Sequence, residues 1–353
     1  MNDDDMPGSE LARRFHDDVV GPLVGTRFPG LRYAAGRWGS GSDVLGLDDA
    51  QSRDHDWGAR LALVVDDADA AALPALDAAL ADGLPETFLG RPVRFPTTWD
   101  PSATHKVQLD TVHGFANGHL GVDTRGGLED IDWLCVTGQG VLEVVAGPTF
   151  VDTTRELEPL HASLARYPDG VEAYLLVCGW HRLGQGMHLV GRAAQRGGDV
   201  AWRVLVAGLV DDVVGLAFLL ERRWMPYPKW RDVLLARLPI AGDLTASLGA
   251  ALTATDWRSA EDALADATDV LARVQRGRGL PAPASGTQPF FDRPFRTVPD
   301  DWVGAMLDGV PPDLAALPRV GSVEQWVSSV DVLARPANRA AIAAAYRAWL
   351  ESA

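Results

Sequence analysis

A chain of 353 residues with 47% apolar content is long enough for two separate cores and too apolar to remain disordered. Its formal net charge of −16 argues against tracking a nucleic-acid backbone, which needs clustered Lys and Arg, and leaves small molecules or proteins as partners. Cys135 and Cys178 both sit in apolar stretches, which suits buried thiols and supports neither a disulfide framework nor a thiolate metal site.

The N-terminus, Met1 to Glu10, has three consecutive aspartates and neither a basic nor an apolar signal region, so a cytoplasmic location is expected. Ser9 suits the cap of a first helix running from Glu10 to about Val24, with Leu11, Phe15 and Val19 at helical spacing. Leu31 to Trp38 then reads as a short strand ending in the tight loop Gly39-Ser40-Gly41-Ser42. The run Leu61 to Val65 reads as a buried strand, with Asp54 and Asp56 at its beginning. Ala68 to Ala81 looks helical, and Val107, Leu109 and Thr111 alternate as in another strand over His105 to His113. Leu142 to Ala146 is expected to be the last strand.

Beyond Gly147-Pro148 the apolar period changes from two to three and four, which places the domain junction at residue 150. Helices are expected at Thr153 to Arg166, Val171 to Gln195, Trp202 to Arg223, Trp230 to Leu238, Asp243 to Leu252 and Trp257 to Gln275. Asp211 and Asp212 interrupt the apolar run Val204 to Leu220, so it reads as a buried helix rather than a membrane span. Gly277 to Pro299 suits an ordered crossing loop, followed by helices at Asp301 to Leu307, Val323 to Leu333 and Asn338 to Glu351. The expected fold is thus an α/β domain over residues 1–150, a mixed sheet with flanking helices, followed by an all-α bundle over residues 151–353.

Residues two apart on a strand face the same way, so Asp54 and Asp56 would project together, roughly 6 to 7 Å apart, and could share Mg2+, which prefers carboxylate oxygen. With 48 acidic residues in the chain, such a pair arises easily by chance; the Gly-Ser loop, whose backbone N–H groups can approach a phosphate chain, raises its significance. Ser42 and Asp54 are close enough in sequence for both groups to reach one triphosphate. This pattern resembles the nucleotidyltransferase superfamily: a Gly-Ser dipeptide, a similar spacer, then two acidic residues alternating on a strand.

A closer resemblance rests on Gly39-Ser-Gly-Ser-Asp-Val-Leu-Gly-Leu-Asp-Asp49, Ser52-Arg-Asp-His-Asp-Trp-Gly58, Pro226-Tyr-Pro-Lys-Trp230 and Phe291-Asp-Arg-Pro-Phe295. These look like DUF4037, a bacterial family regarded as nucleotidyltransferase-like, similar in layout to the aminoglycoside nucleotidyltransferases. The resemblance implies that Gly41 and Ser42, or equally Gly39 and Ser40, hold the β- and γ-phosphates and that Asp54 and Asp56 hold Mg2+. It also implies a third carboxylate on an adjacent strand, for the metal or as base, with Asp110 the first candidate and Glu143 the alternative. Gln108 shares a strand face with Asp110, and a third position falling there would leave the acidic set incomplete. The implied activity is NMP transfer from an NTP, ATP by default, to a hydroxyl on a small-molecule or protein acceptor, with the helical domain closing over the site.

The only lysines are Lys106 and Lys229, against a background of arginine, and Lys229 in its aromatic setting suits a solvated helix start or a compact charge for a triphosphate. Arg192 and Arg222-Arg223 are weaker candidates for nucleotide contacts. His55 would face away from the aspartates, and His181 and His188 lack partners at zinc-site spacing. Neither a Gly-x-Ser-x-Gly elbow nor a P-loop occurs, which speaks against esterase and P-loop ATPase chemistry. The competing classes are a non-catalytic nucleotide-binding or regulatory protein with a degenerate site and an interaction scaffold with a vestigial cleft.

Overall fold

The computed structural model describes residues 6–53, 57–98 and 100–352. Asp54, His55 and Asp56 therefore lie outside the described residues. The chain divides into two compact units, one of residues 1–128 and 140–165, the other of residues 129–139 and 166–353. The expected junction after residue 150 falls inside the first unit, and the second unit takes a short segment from the middle of the first.

The first unit begins with α1 (Gly8–Phe15), a π-helical turn (His16–Val20) and α2 (Gly21–Arg27), followed by β1 (Ala34–Gly36), β2 (Arg60–Val65) and α3 (Leu73–Gly83). A small ladder of β3 (Thr87–Phe88) and β4 (Arg91–Pro92) precedes β5 (Arg94–Thr97), the long β6 (Asp100–Thr111) and α4 (Val112–Leu120). Next come α5 (Asp130–Cys135), which belongs to the second unit, α6 (Gly138–Val145), β7 (Thr149–Asp152) and α7 (Leu157–Ser163). The main sheet has the order β5-β6-β2-β1-β7, with β2 and β6 parallel and the other pairs antiparallel.

Alternation along β2 and β6 decides what each face does. Leu61, Leu63, Val65 and Val107 join a buried cluster with Phe15, Val24, Leu76 and Leu80 of the helices, and Leu109 packs against it. Gln108 and Asp110 consequently stand on the opposite face, where α4 packs on both strands.

Several expected boundaries move for identifiable reasons. The segment expected as the last strand, Leu142 to Ala146, is helical through Val145, because Val141 and Val144 are buried three residues apart; their β-branched character yields to that packing, and the strand follows at Thr149–Asp152. Ser9 lies inside α1 rather than capping it, since the Gly8 N–H is taken by Asp48 Oδ2 at 2.8 Å. The helix expected from Thr153 starts only at Leu157, because the Thr153 N–H pairs with the Tyr33 carbonyl at 3.0 Å and prolongs the sheet edge.

The second unit is built on α8 (Asp169–Ala194) and α9 (Asp199–Leu220), joined by a short turn and packed along each other. Gly179 and Gly186, seven apart on one face of α8, permit that approach: a β-carbon would stand 2.6 Å from Leu216 and 2.7 Å from Leu209, respectively. Then follow α10 (Arg231–Leu235), α11 (Ala241–Thr253) and α12 (Trp257–Gly277), with α12 packing on both α9 and α11. The buried Trp180 donates from Nε1 to Gln275 Oε1 at 2.7 Å, locking α8 to α12.

Within the crossing loop, β8 (Gln288–Pro289) and β9 (Arg296–Thr297) form a two-stranded ladder. Short helices α13 (Val303–Leu307) and α14 (Pro312–Ala316) lead to α15 (Val323–Trp326), α16 (Val330–Leu333) and the final α17 (Arg339–Glu351). The single helix expected over Val323 to Leu333 is thus two. Among the described residues no helix is long and apolar enough to cross a membrane. A mixed α/β N-terminal part followed by a helical C-terminal part is the expected fold class.

Candidate functional site

The loop leaving β1 is set by its glycines and by a buried ion pair. Gly39 and Gly41 have φ of 91° and 134°, in the region that favours glycine, and a β-carbon at Gly41 would lie 2.4 Å from Asp43 Oδ1 and 2.5 Å from Arg37 Nη2. Arg37 and Asp43, both buried, form a bidentate pair: Nε to Oδ2 at 2.6 Å and Nη2 to Oδ1 at 2.8 Å. The same guanidinium donates to the carbonyls of Trp38 at 2.7 Å and Ser40 at 2.8 Å. Arginine therefore braces the loop from beneath, turning two of its carbonyls inward. Arg60, at the start of β2, reaches Ser40 Oγ at 3.4 Å, and a 3-10 turn begins at Ser42.

Beside this loop lie the strand face and two further side chains. The Gly39 N–H donates to the Glu143 carbonyl at 2.7 Å, and a β-carbon on Gly39 would stand 3.7 Å from the His119 ring and 3.8 Å from Gln108 Oε1. His119 Nδ1 lies 2.8 Å from Glu143 Oε2. Parallel register sets Gln108 opposite Ala62 and Asp110 opposite Val64, so Gln108 is the strand residue that meets the loop and Asp110 stands one step further along the same face. Glu143, the alternative third carboxylate, is on α6 rather than a strand and is engaged by His119.

Asp110 is half-buried and accepts the Thr111 N–H at 2.7 Å. Burial raises its pKa; the Thr111 hydrogen bond opposes that rise, nearby Asp67 adds to it and His119 counters it. A partly desolvated carboxylate facing a second acid favours a cation, so Asp110 fits a share in a Mg2+ site. Among the described residues no group of three or more His, Cys, Asp or Glu converges to hold a metal. The rest of such a set would have to come from Asp54 and Asp56, outside the described residues.

Lys106 donates to the Ser102 carbonyl at 3.2 Å and to Thr104 Oγ1 at 3.3 Å, on the strand that carries Gln108. In the second unit, exposed Lys229 rests 4.6 Å over the Trp230 ring. Arg222 pairs with Glu172 and Asp169, each at 2.8 Å, and so serves the bundle's own packing; Arg192 lies in the last turn of α8. His188 stacks on Phe290 with centroids 4.1 Å apart, and His181 meets Gln185 at 3.0 Å. Burial pushes both cysteine thiols up to about 12, away from thiolate chemistry.

The sequence marks the glycines, Asp110 and Glu143 but not Arg37, Asp43 or His119. Arg37 and Asp43 bracket the glycine-rich run in the sequence, but nothing local marks them as a buried pair. Nothing local marks His119, which reaches the site through the α4 turn.

Residues 133–231 match the model of a family described as "Domain of unknown function (DUF4037)". The resemblance seen in the motifs is borne out over that segment, which includes Glu143 and Pro226–Trp230 and starts after the Gly-Ser loop and Asp110. Among solved structures, the chain is similar to a nucleotidyltransferase-like protein from Exiguobacterium sibiricum 255-15. The two are 12% identical, the likeness covers 77% of this chain and 82% of that chain, and the TM-score is 0.31. No curated protein matches the chain.

Proposed function

We propose that the chain is a Mg2+-dependent nucleotidyltransferase that transfers NMP from an NTP, ATP by default, to a hydroxyl on a small-molecule or protein acceptor. The observation that carries this reading is the glycine loop of residues 39–42, braced by Arg37–Asp43 and set against a strand face bearing Gln108 and Asp110. Backbone N–H groups and hydroxyls of Ser40, Gly41 and Ser42 hold the β- and γ-phosphates, with the Arg60 guanidinium beside Ser40 balancing charge, while Gly39, whose N–H is taken by the Glu143 carbonyl, shapes the turn. Asp54, Asp56 and Asp110 hold Mg2+, which when bound neutralises charge on the phosphates and the leaving group. The acceptor oxygen bonds to the α-phosphorus as the bond to pyrophosphate breaks. Asp110, beside the reacting oxygen, is also the candidate to take the hydroxyl proton.

A second reading, a non-catalytic nucleotide-binding protein, is favoured by one feature: an amide, Gln108, occupies the strand position nearest the loop. Calorimetry of the four NTPs with Mg2+, on the native protein and the Asp54→Asn/Asp56→Asn double variant, tests the site. Metal-dependent binding lost in the double variant supports it, whereas no binding, or binding indifferent to the change, overturns it. Pyrophosphate release in an acceptor screen then separates the transferase from the binding protein.

A further inference from the structure

His119 makes two contacts that explain its packing and leaves one edge unused. Its ring lies against Phe115, with centroids 4.6 Å apart, and its Nδ1 meets the Glu143 carboxylate at 2.8 Å. Glu143 also accepts the Gly39 N–H through its backbone carbonyl at 2.7 Å, so one residue of α6 positions both the imidazole and the first glycine of the loop. The ring's Cε1 and second nitrogen, Nε2, each stand 3.7 Å from where a Gly39 β-carbon would be. Nε2 has no hydrogen-bond partner among the described residues, and the side chain keeps 16% of its surface exposed.

We propose that His119 contacts the phosphate chain of the bound nucleotide through Nε2, held in place by Glu143. This inference rests on the nucleotide reading above. With an ionised carboxylate accepting from Nδ1–H, Nε2 carries a hydrogen only in the charged ring, where it becomes a donor with positive charge. Glu143 on α6 and Asp110 on β6 are the carboxylates around the ring, and Gln108 is the neutral neighbour across the loop. A purely structural histidine accounts for the Phe115 and Glu143 contacts. It does not account for an open nitrogen at the edge of a glycine loop. A phosphate oxygen is the acceptor that suits a cationic donor in that place.

Two variants separate the functions of the two nitrogens. In His119→Asn the side-chain amide can replace Nδ1 toward Glu143 but leaves the Nε2 position empty; in His119→Gln the amide reaches the Nε2 position instead. Calorimetry of ATP and of inorganic tripolyphosphate, each with Mg2+, is measured on the intact chain and both variants, together with their thermal unfolding midpoints. Loss of one charge-assisted hydrogen bond predicts roughly tenfold or greater weakening of both ligands in His119→Asn. Partial recovery in His119→Gln, at an unchanged unfolding midpoint, is the supporting pattern. Native-like affinity in His119→Asn overturns the contact and leaves the nucleotide reading standing. Affinity losses in both variants that track lowered unfolding midpoints assign His119 a structural role and also overturn it. If the native protein binds neither ligand, the nucleotide reading and the contact both fall.

Discussion

Arg37 and Asp43 illustrate how a loop that looks flexible in sequence becomes rigid. The two residues are 2% and 6% exposed, and their two hydrogen bonds close a ring beneath Gly41. Removing one partner leaves a buried charge uncompensated, which costs about 3 to 5 kcal/mol. Asp43→Asn is therefore expected to destabilise the protein by ~3 kcal/mol in denaturant unfolding and to weaken ATP binding, because Arg37 also holds the Trp38 and Ser40 carbonyls. The glycines of this loop were legible because positive φ favours one residue type. The ion pair was not, because arginine and aspartate are common throughout the chain and only burial distinguishes this pair.

Within the first unit, the turn from β6 into α4 fixes Asp110. Thr111 caps α4 by accepting the Gly114 N–H at 3.0 Å, and a β-carbon on Gly114 would lie 2.0 Å from Asp110 Oδ1. Alanine in a helix is ordinarily favoured over glycine by roughly 0.5 to 1 kcal/mol. Here the carboxylate must move, so Gly114→Ala is expected to weaken Mg2+-dependent ATP binding several-fold while leaving Mg2+-free binding unchanged, as calorimetry would measure. Unaltered Mg2+ dependence would remove Asp110 from the metal set. Strand β6 was legible from its alternation, and alternation also placed Gln108 and Asp110 on one face. Which of the two meets the loop depends on pairing register with β2, a non-local property. The same limit explains the Leu142 to Ala146 segment, whose valines suit a strand locally but pack as a helix.

Across the molecule, the exchange of residues 129–139 into the second unit has consequences for stability. Trp133 stacks on Trp224 at a centroid separation of 6.1 Å, Tyr346 Oη approaches the Leu134 carbonyl at 3.5 Å, and the Gly138 N–H donates to Glu324 Oε2 at 2.9 Å. A fragment of residues 166–353 is accordingly expected to unfold at lower denaturant than one of residues 129–353; equal midpoints would show the segment to be dispensable. Glu324 keeps some solvent contact, yet the protein around its carboxyl raises its pKa to about 7 by desolvation, against the Gly138 hydrogen bond and the charges of Arg231 and Arg339. The folded form thus holds a proton that the unfolded form releases near pH 4.5. Its contribution is present at low pH and is lost as pH rises through the window from about 4.5 to about 7. The Glu324→Gln variant is expected to lose that portion of the pH dependence and to gain stability relative to the native chain at pH above about 7. Parallel unfolding-midpoint profiles for the two proteins would refute the shift.

By itself the sequence determined the α/β-then-helical layout, the long helices of the second unit, the glycine loop, and the face shared by Gln108 and Asp110. Each of these follows from local periodicity or from the conformational freedom of one residue type. Only the tertiary structure decided the Arg37–Asp43 brace, the His119–Glu143 contact beside Gly39, the helical state of Leu142 to Val145 and the transfer of residues 129–139 to the second unit. These depend on burial and on contacts between residues distant in the chain, which no short window of sequence contains.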